Sequence, residues 1–124
     1  MRFAVLSILL VACATSRIPA HLRGYDIVVE PKDEQSKALA GAMREYGFRV
    51  REHVRGGSRP TAVLIHFAFR EPRGDPGQPV WLYLRLADTR SGVIVATASI
   101  PLDSVGSSPR ARAEAAVRAL APAP

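Results

Sequence analysis

A chain of 124 residues, 48% hydrophobic and 23% charged, has the size and composition of one folded domain. It is too short for two domains and too polar for several membrane spans. The formal net charge of +6 comes from an excess of arginine, which supplies 15 of the 17 positive residues, and the chain also carries 19 alanines. Basic charge alone admits nucleic acid, anionic membrane or acidic polymer as a partner. An arginine- and alanine-rich composition of this kind follows GC-rich coding, so no nucleic-acid partner is expected. A single cysteine excludes an internal disulfide and any zinc site built on several thiolates.

The N-terminus reads as a processing signal. Arg2 is followed by an apolar run from Phe3 to Ala12, half the roughly 20 residues a membrane-spanning helix requires but suited to the apolar region of a signal peptide. Leu10-Val11-Ala12-Cys13 resembles the lipobox of bacterial lipoproteins. That resemblance implies a signal peptide over residues 1–12, cleavage before Cys13, and a diacylglycerol on the Cys13 thiol with acylation of the new amine. Two or more acyl chains hold a protein stably on a membrane, each buried methylene contributing about 0.8 kcal/mol. Two other readings stand beside it. Ala12-Cys13-Ala14 also fits the small-x-small pattern of ordinary signal peptidase, releasing a soluble protein from Thr15, and Cys13 could be a free thiol in an apolar segment. Ala14, where an aspartate would resemble an inner-membrane retention signal, points to the outer membrane with the domain facing the periplasm.

Residues 13–23 are expected to form the lipidated cysteine and a tether, since they lack periodicity and include Pro19. Tyr25, Ile27 and Val29 alternate with more polar neighbours and predict a first strand ended by Pro31. Asp33 is a helix cap, and Leu39, Ala42, Met43 and Tyr46 recur at helical spacing until Gly47. Phe48, Val50 and Val54 mark a second strand before the turn Gly56-Gly57-Ser58-Arg59-Pro60. Thr61 to Arg70 places Val63, Ile65, Phe67 and Phe69 on one face and Leu64, His66 and Ala68 on the other. The expectation is that the first set faces the core. Glu71 to Pro79, with three prolines and two glycines, reads as a surface loop.

Val80, Leu82, Leu84 and Leu86 alternate with Trp81, Tyr83 and Arg85, and Asp88-Thr89-Arg90-Ser91-Gly92 forms a hairpin connection to a last strand at Val93 to Ile100. Ser108-Pro109 starts a helix with Ala113, Ala116, Val117 and Leu120 inward. The predicted fold class is α+β: a two-layer sandwich over residues 24–120, ordered β-α-β-β-β-β-α, with a mostly antiparallel sheet, two helices on one face and a disordered tail at 121–124. Its predicted core is Ile27, Val29, Leu39, Met43, Val63, Ile65, Phe67, Leu82, Leu84, Val117 and Leu120.

A lipobox followed by this order of elements is similar to the lipopolysaccharide-assembly outer-membrane lipoprotein family. His21-Leu22-Arg23-Gly24 resembles that family's short element after the cysteine, here with seven residues between Cys13 and His21. The broader resemblance is to small bacterial envelope lipoproteins with one two-layer α/β domain, which implies no specific activity.

His21, His53 and His66 lack cysteine or carboxylate partners at ligand spacing, so no metal site is expected. No nucleophile elbow or phosphate-cradling glycine loop occurs, so the chain is read as a non-enzyme without catalytic residues or cofactors. Two features remain. Arg49, Arg51, His53 and Arg55 fall on one face of a strand at period two, with Arg59 just beyond; guanidiniums so arranged suit phosphate or carboxylate, or else protect a sheet edge with charge. Trp81 and Tyr83 sit on the more polar face of their strand, where they suit a protein contact or a second packing layer. The two functional expectations are a membrane-tethered adaptor or accessory subunit of an envelope assembly, docking through Trp81 and Tyr83, and a module for anions of lipid A, phospholipid or peptidoglycan, using Arg49, Arg51, Arg55 and Arg59.

Overall fold

The computed structural model describes residues 18–54, 56–70 and 80–122. Cys13 with its lipobox, Arg55 and the Glu71–Pro79 segment lie outside the described residues. The elements are β1 (Asp26–Val28), α1 (Glu34–Tyr46), β2 (Arg49–Arg51), β3 (Thr61–Phe69), β4 (Trp81–Asp88), β5 (Ile94–Pro101), α2 (Pro109–Arg118) and β6 (Ala121–Pro122), with 3₁₀ turns at Ala20–Leu22 and Leu102–Ser104. This is an α+β sandwich of one mixed sheet and two helices. The strand order is β2-β1-β3-β4-β5-β6.

The antiparallel character expected for the sheet belongs to its C-terminal half, where β3, β4, β5 and β6 pair in succession. At the other end β1 lies between β2 and β3 and runs parallel to both. The reason is α1, which carries the chain back across the sheet so that β2 starts at the same end as β1.

Both helices begin and end on local chemistry. Asp33 accepts a hydrogen bond from the Ser36 amide at 2.7 Å, and Ser36 Oγ accepts one from the Asp33 amide at 2.9 Å, a reciprocal capping box. Gly47 closes α1 at φ 116°, a left-handed conformation that a Cβ would strain. Ser108 caps α2 through the Ala111 amide with Pro109 in the first turn. On the hairpin, Asp88 Oδ1 accepts from the amides of Arg90 and Ser91, and its Oδ2 accepts from Tyr25 Oη at 2.6 Å. That last bond ties the start of β1 to the β4–β5 turn.

The helices and one sheet face enclose a core containing Ile27, Val29, Leu39, Met43, Leu64, Leu82, Leu84, Leu86, Ile100, Val117 and Leu120. It is rich in small residues as well: Ala40, Ala42, Ala62, Ala96, Ala98, Ala113 and Ala116 are all buried. Short side chains let the helices approach the leucines of β4 closely.

Three expectations require correction. Ile65 and Phe67, assigned to the core, are 36% and 45% exposed, and Val63 is only partly buried. Residues paired across strands share a face, and β3 pairs Leu64 with Leu86, His66 with Leu84 and Ala68 with Leu82. Because β4 turns Leu82, Leu84 and Leu86 to the helices, it is Leu64 that goes inward, while Ile65, Phe67 and Phe69 go to the opposite face. Residues 18–23, assigned to a tether, belong to the domain instead, since Ile18 and Leu22 are buried in the core. At the other terminus, Ala121 and Pro122 pair with Thr97 and Ala96 of β5, where a disordered tail was expected.

The face assignment can be checked by paired substitutions. Leu64→Ala is expected to lower unfolding stability by about 2–4 kcal/mol, as for other buried leucines, and Ile65→Ala by less than about 1 kcal/mol. Chemical denaturation of both variants measures this, and equal losses would overturn the assignment.

Candidate functional site

The helix-free face of the sheet carries an aromatic cluster. Period two on β3 brings Ile65, Phe67 and Phe69 to this face, and register places them beside Arg85, Tyr83 and Trp81 of β4. The ring centroids of Phe67 and Tyr83 are 5.0 Å apart at 43°, those of Phe67 and Phe69 6.1 Å apart at 53°, and those of Phe69 and Tyr83 6.5 Å apart at 74°. Tilted contacts of this kind satisfy the ring quadrupoles and hold the rings as a unit. Trp81, Tyr83 and Phe69 are half-buried, and Phe67 stands furthest into solvent. The two aromatics singled out from the sequence are therefore brought together, and the structure adds Phe67, Phe69 and Ile65. Those three were legible only through the leucine parity of β4, which decides the face of its neighbour.

Arg85 sits within this face, opposite Ile65 on β3 and Thr97 on β5. Its Nε is buried with no hydrogen-bond partner.

The arginine group is arranged differently from the sequence expectation. Arg49 and Arg51 share a face of β2, but the strand ends at Arg51 and the chain bends at Glu52 and His53. His53 is consequently not in line with the arginines, and the period-two row of four does not form. Arg51 Nε donates to Asp26 Oδ2 at 2.9 Å, and Arg59 Nε donates to Asp26 Oδ1 at 3.0 Å. Asp26 is only 3% exposed, on the strand between them. Burial works to raise its carboxyl pKa, but the hydrogen bonds and charges of Arg59 and Arg51 outweigh it and hold the group below the ordinary carboxylate range. Two guanidiniums are thus spent on an internal carboxylate, where they lock β2 and the β2–β3 loop onto β1. With Gly56, Gly57, Ser58 and Thr61 they line an open cleft of about 220 Å³. Spacing along the chain carried no signal for this clamp, because Asp26 and its two arginines meet only through strand pairing.

His21 and His53 are exposed, whereas His66 lies on the helix side of β3, near enough to Asp33 to help keep its carboxyl acidic; the hydrogen bond from the Ser36 amide is the larger cause. Among the described residues, no group of three His, Cys, Asp or Glu could hold a metal ion, and no helix is long and apolar enough to cross a membrane.

The architecture defines a small α+β sandwich with one sheet face left open and aromatic. The chain matches no known protein-family model, no curated protein and no solved structure.

The Asp26 clamp predicts a pH dependence. Asp26→Asn is expected to cost about 2 kcal/mol, less than the 3–5 kcal/mol of a fully buried pair because the two arginine side chains are 41% and 43% exposed. The folded-state pKa lies below the unfolded value near 3.8. The carboxylate therefore contributes stability above that value, and the contribution is lost as pH falls through the folded pKa. Denaturation from neutral pH downward should show a constant difference between wild type and variant until about pH 5, shrinking below about pH 4. A difference that persists undiminished into strong acid would overturn the clamp.

Proposed function

We propose that this protein is a membrane-tethered, non-enzymatic adaptor or accessory subunit of a bacterial envelope assembly, docking on a protein partner through its open sheet face. The observation that carries the reading is the patch of Ile65, Phe67, Phe69, Trp81 and Tyr83, with Phe67 45% exposed on a face that neither helix covers. Aromatic side chains presented on a rigid sheet bury large area at small entropic cost, which is how interface hot spots work. The lipobox supports the tether. Because Ile18 is packed in the core, only residues 14–17 lie between it and Cys13, and five Cα steps reach at most about 18 Å when fully extended. Such a link keeps the domain against the lipid surface, and its partner there too. An anion-binding module is the weaker reading, because Arg51 and Arg59 already neutralise Asp26.

Two experiments test this proposal. In the first, cells expressing wild type or Cys13→Ser are labelled with a palmitate analogue and fractionated. Wild type is expected to take up label and sediment with membranes, and the variant to do neither. An unlabelled soluble wild type beginning at Thr15 would replace lipidation with ordinary secretion. In the second, envelopes are crosslinked and the tagged protein is recovered. A protein partner is expected with wild type and is expected to be lost with Phe67→Asp/Tyr83→Asp, whose melting temperature should stay close to wild type. The complex should survive salt near about 1 M, where exposed charges are screened beyond about 3 Å. Recovery of no protein, alongside salt-sensitive binding to lipid A or peptidoglycan, would favour the anion-binding module.

A further inference from the structure

The open face has a charge pattern as well as an apolar one. Strand pairing puts Arg49 and Arg51 of β2, Asp26 of β1, and Arg85 of β4 on the same side as the aromatic rings. Among the described residues of this face, the one carboxylate is Asp26, and it is buried and committed to Arg51 and Arg59. Among the described residues, Arg85 has no such counterion. Its strand neighbours are Ile65 and Thr97, flanked along β4 by Tyr83 and Ala87, and its Nε is withdrawn from water without a partner. A guanidinium held against an apolar surface has lost part of its hydration, and a donor enclosed without a partner is unfavourable. A carboxylate arriving from outside would meet the terminal guanidinium nitrogens, which are not enclosed with Nε, in a charge-assisted, two-point contact.

Resting on the docking reading above, we infer that the partner is a protein segment carrying an Asp or Glu that seats on the Arg85 guanidinium, with apolar residues beside it covering Phe67, Phe69 and Tyr83. The same charge pattern disfavours a second copy of this chain. A two-fold dimer through this face would set one cationic surface against an identical one, with no described carboxylate left to answer Arg85. Arg85 then acts as the specificity element of the patch: the rings supply contact area, and the partly buried cation, desolvated on docking, rejects segments that bring no acid.

The test places a photoreactive benzoylphenylalanine at Phe67 in the full-length protein and irradiates living cells. The crosslinked peptide, mapped by mass spectrometry, is expected to contain an Asp or Glu flanked by apolar residues. Crosslink yield is expected to fall about tenfold or more in Arg85→Gln, because a charge pair desolvated on docking is worth at least the 1.4 kcal/mol of one decade, and to fall less in Arg85→Lys, which keeps the charge but loses the two-point contact. Thr97→Asp, which sets a carboxylate across the strand from Arg85, should produce the same loss while leaving Arg85 in place. Unchanged melting temperatures would show that the losses are not unfolding. Crosslinking to a protein at equal yield in all four proteins, or to a peptide without an acid, would overturn the inference and leave the adaptor reading intact. Crosslinking only to lipid or to nothing would overturn the adaptor reading together with it. A crosslink to a second copy of this chain would overturn the acidic partner and make the face a dimer interface.

Discussion

Two helices of 13 and 10 residues can cover one face of this sheet and no more. The other properties of the domain depend on which face they take. β4 settles it, because Leu82, Leu84 and Leu86 all point the same way and are buried. The strands beside it must then meet those leucines with side chains that fit beneath the helices, and Ala62 and Leu64 on β3 and Ala96 and Ala98 on β5 do so. The larger members of β3 are displaced to the far side. The aromatic patch is in this sense a consequence of packing the core, since a one-residue slip would exchange the two sets wholesale.

Polar contacts pin the parallel end of the sheet, where the strands are only three residues long. Asp26 draws Arg51 from the edge strand and Arg59 from the following loop onto β1. Tyr25, one residue earlier, donates to Asp88 and so joins the same strand to the distant hairpin. That bond raises the Tyr25 pKa, which burial raises further, and it holds the Asp88 carboxyl acidic. Two of the four arginines that look like a ligand site in one dimension, Arg51 and Arg59, are thereby structural in three. On β4, Arg85 has no such partner among the described residues, and its Nε is enclosed without a hydrogen bond.

A rigid sheet presenting tilted aromatic rings on the same face as a partly enclosed arginine is suited to selective docking. The rings give area with little entropy to lose, and the cation makes the affinity conditional on a matching acid. A short link to a membrane would add to this by raising the local concentration of the domain near a partner on the same surface.

Much of the fold was legible in one dimension because its signals are local. The helix from Asp33 to Gly47 is determined by a cap, a helical apolar spacing and a left-handed glycine, all within one contiguous stretch, and its bounds agree with expectation to the residue. Ser108-Pro109 and the Asp88 turn are similarly self-contained. The reading failed where the answer belongs to pairs of strands. Period two on Thr61–Phe69 offers two faces, and its size ranking favoured Val63, Ile65 and Phe67; only pairing with the leucines of β4 chooses Leu64. The arginine row failed for the same reason, since a strand of three residues and a buried aspartate 25 positions away from Arg51 are invisible to spacing. The sequence by itself determined the two helices with their caps and most of the strands, which are short-range chemistry. Which sheet face is covered, which arginines are neutralised and which aromatics stand together were decided by tertiary structure, because each depends on cross-strand register.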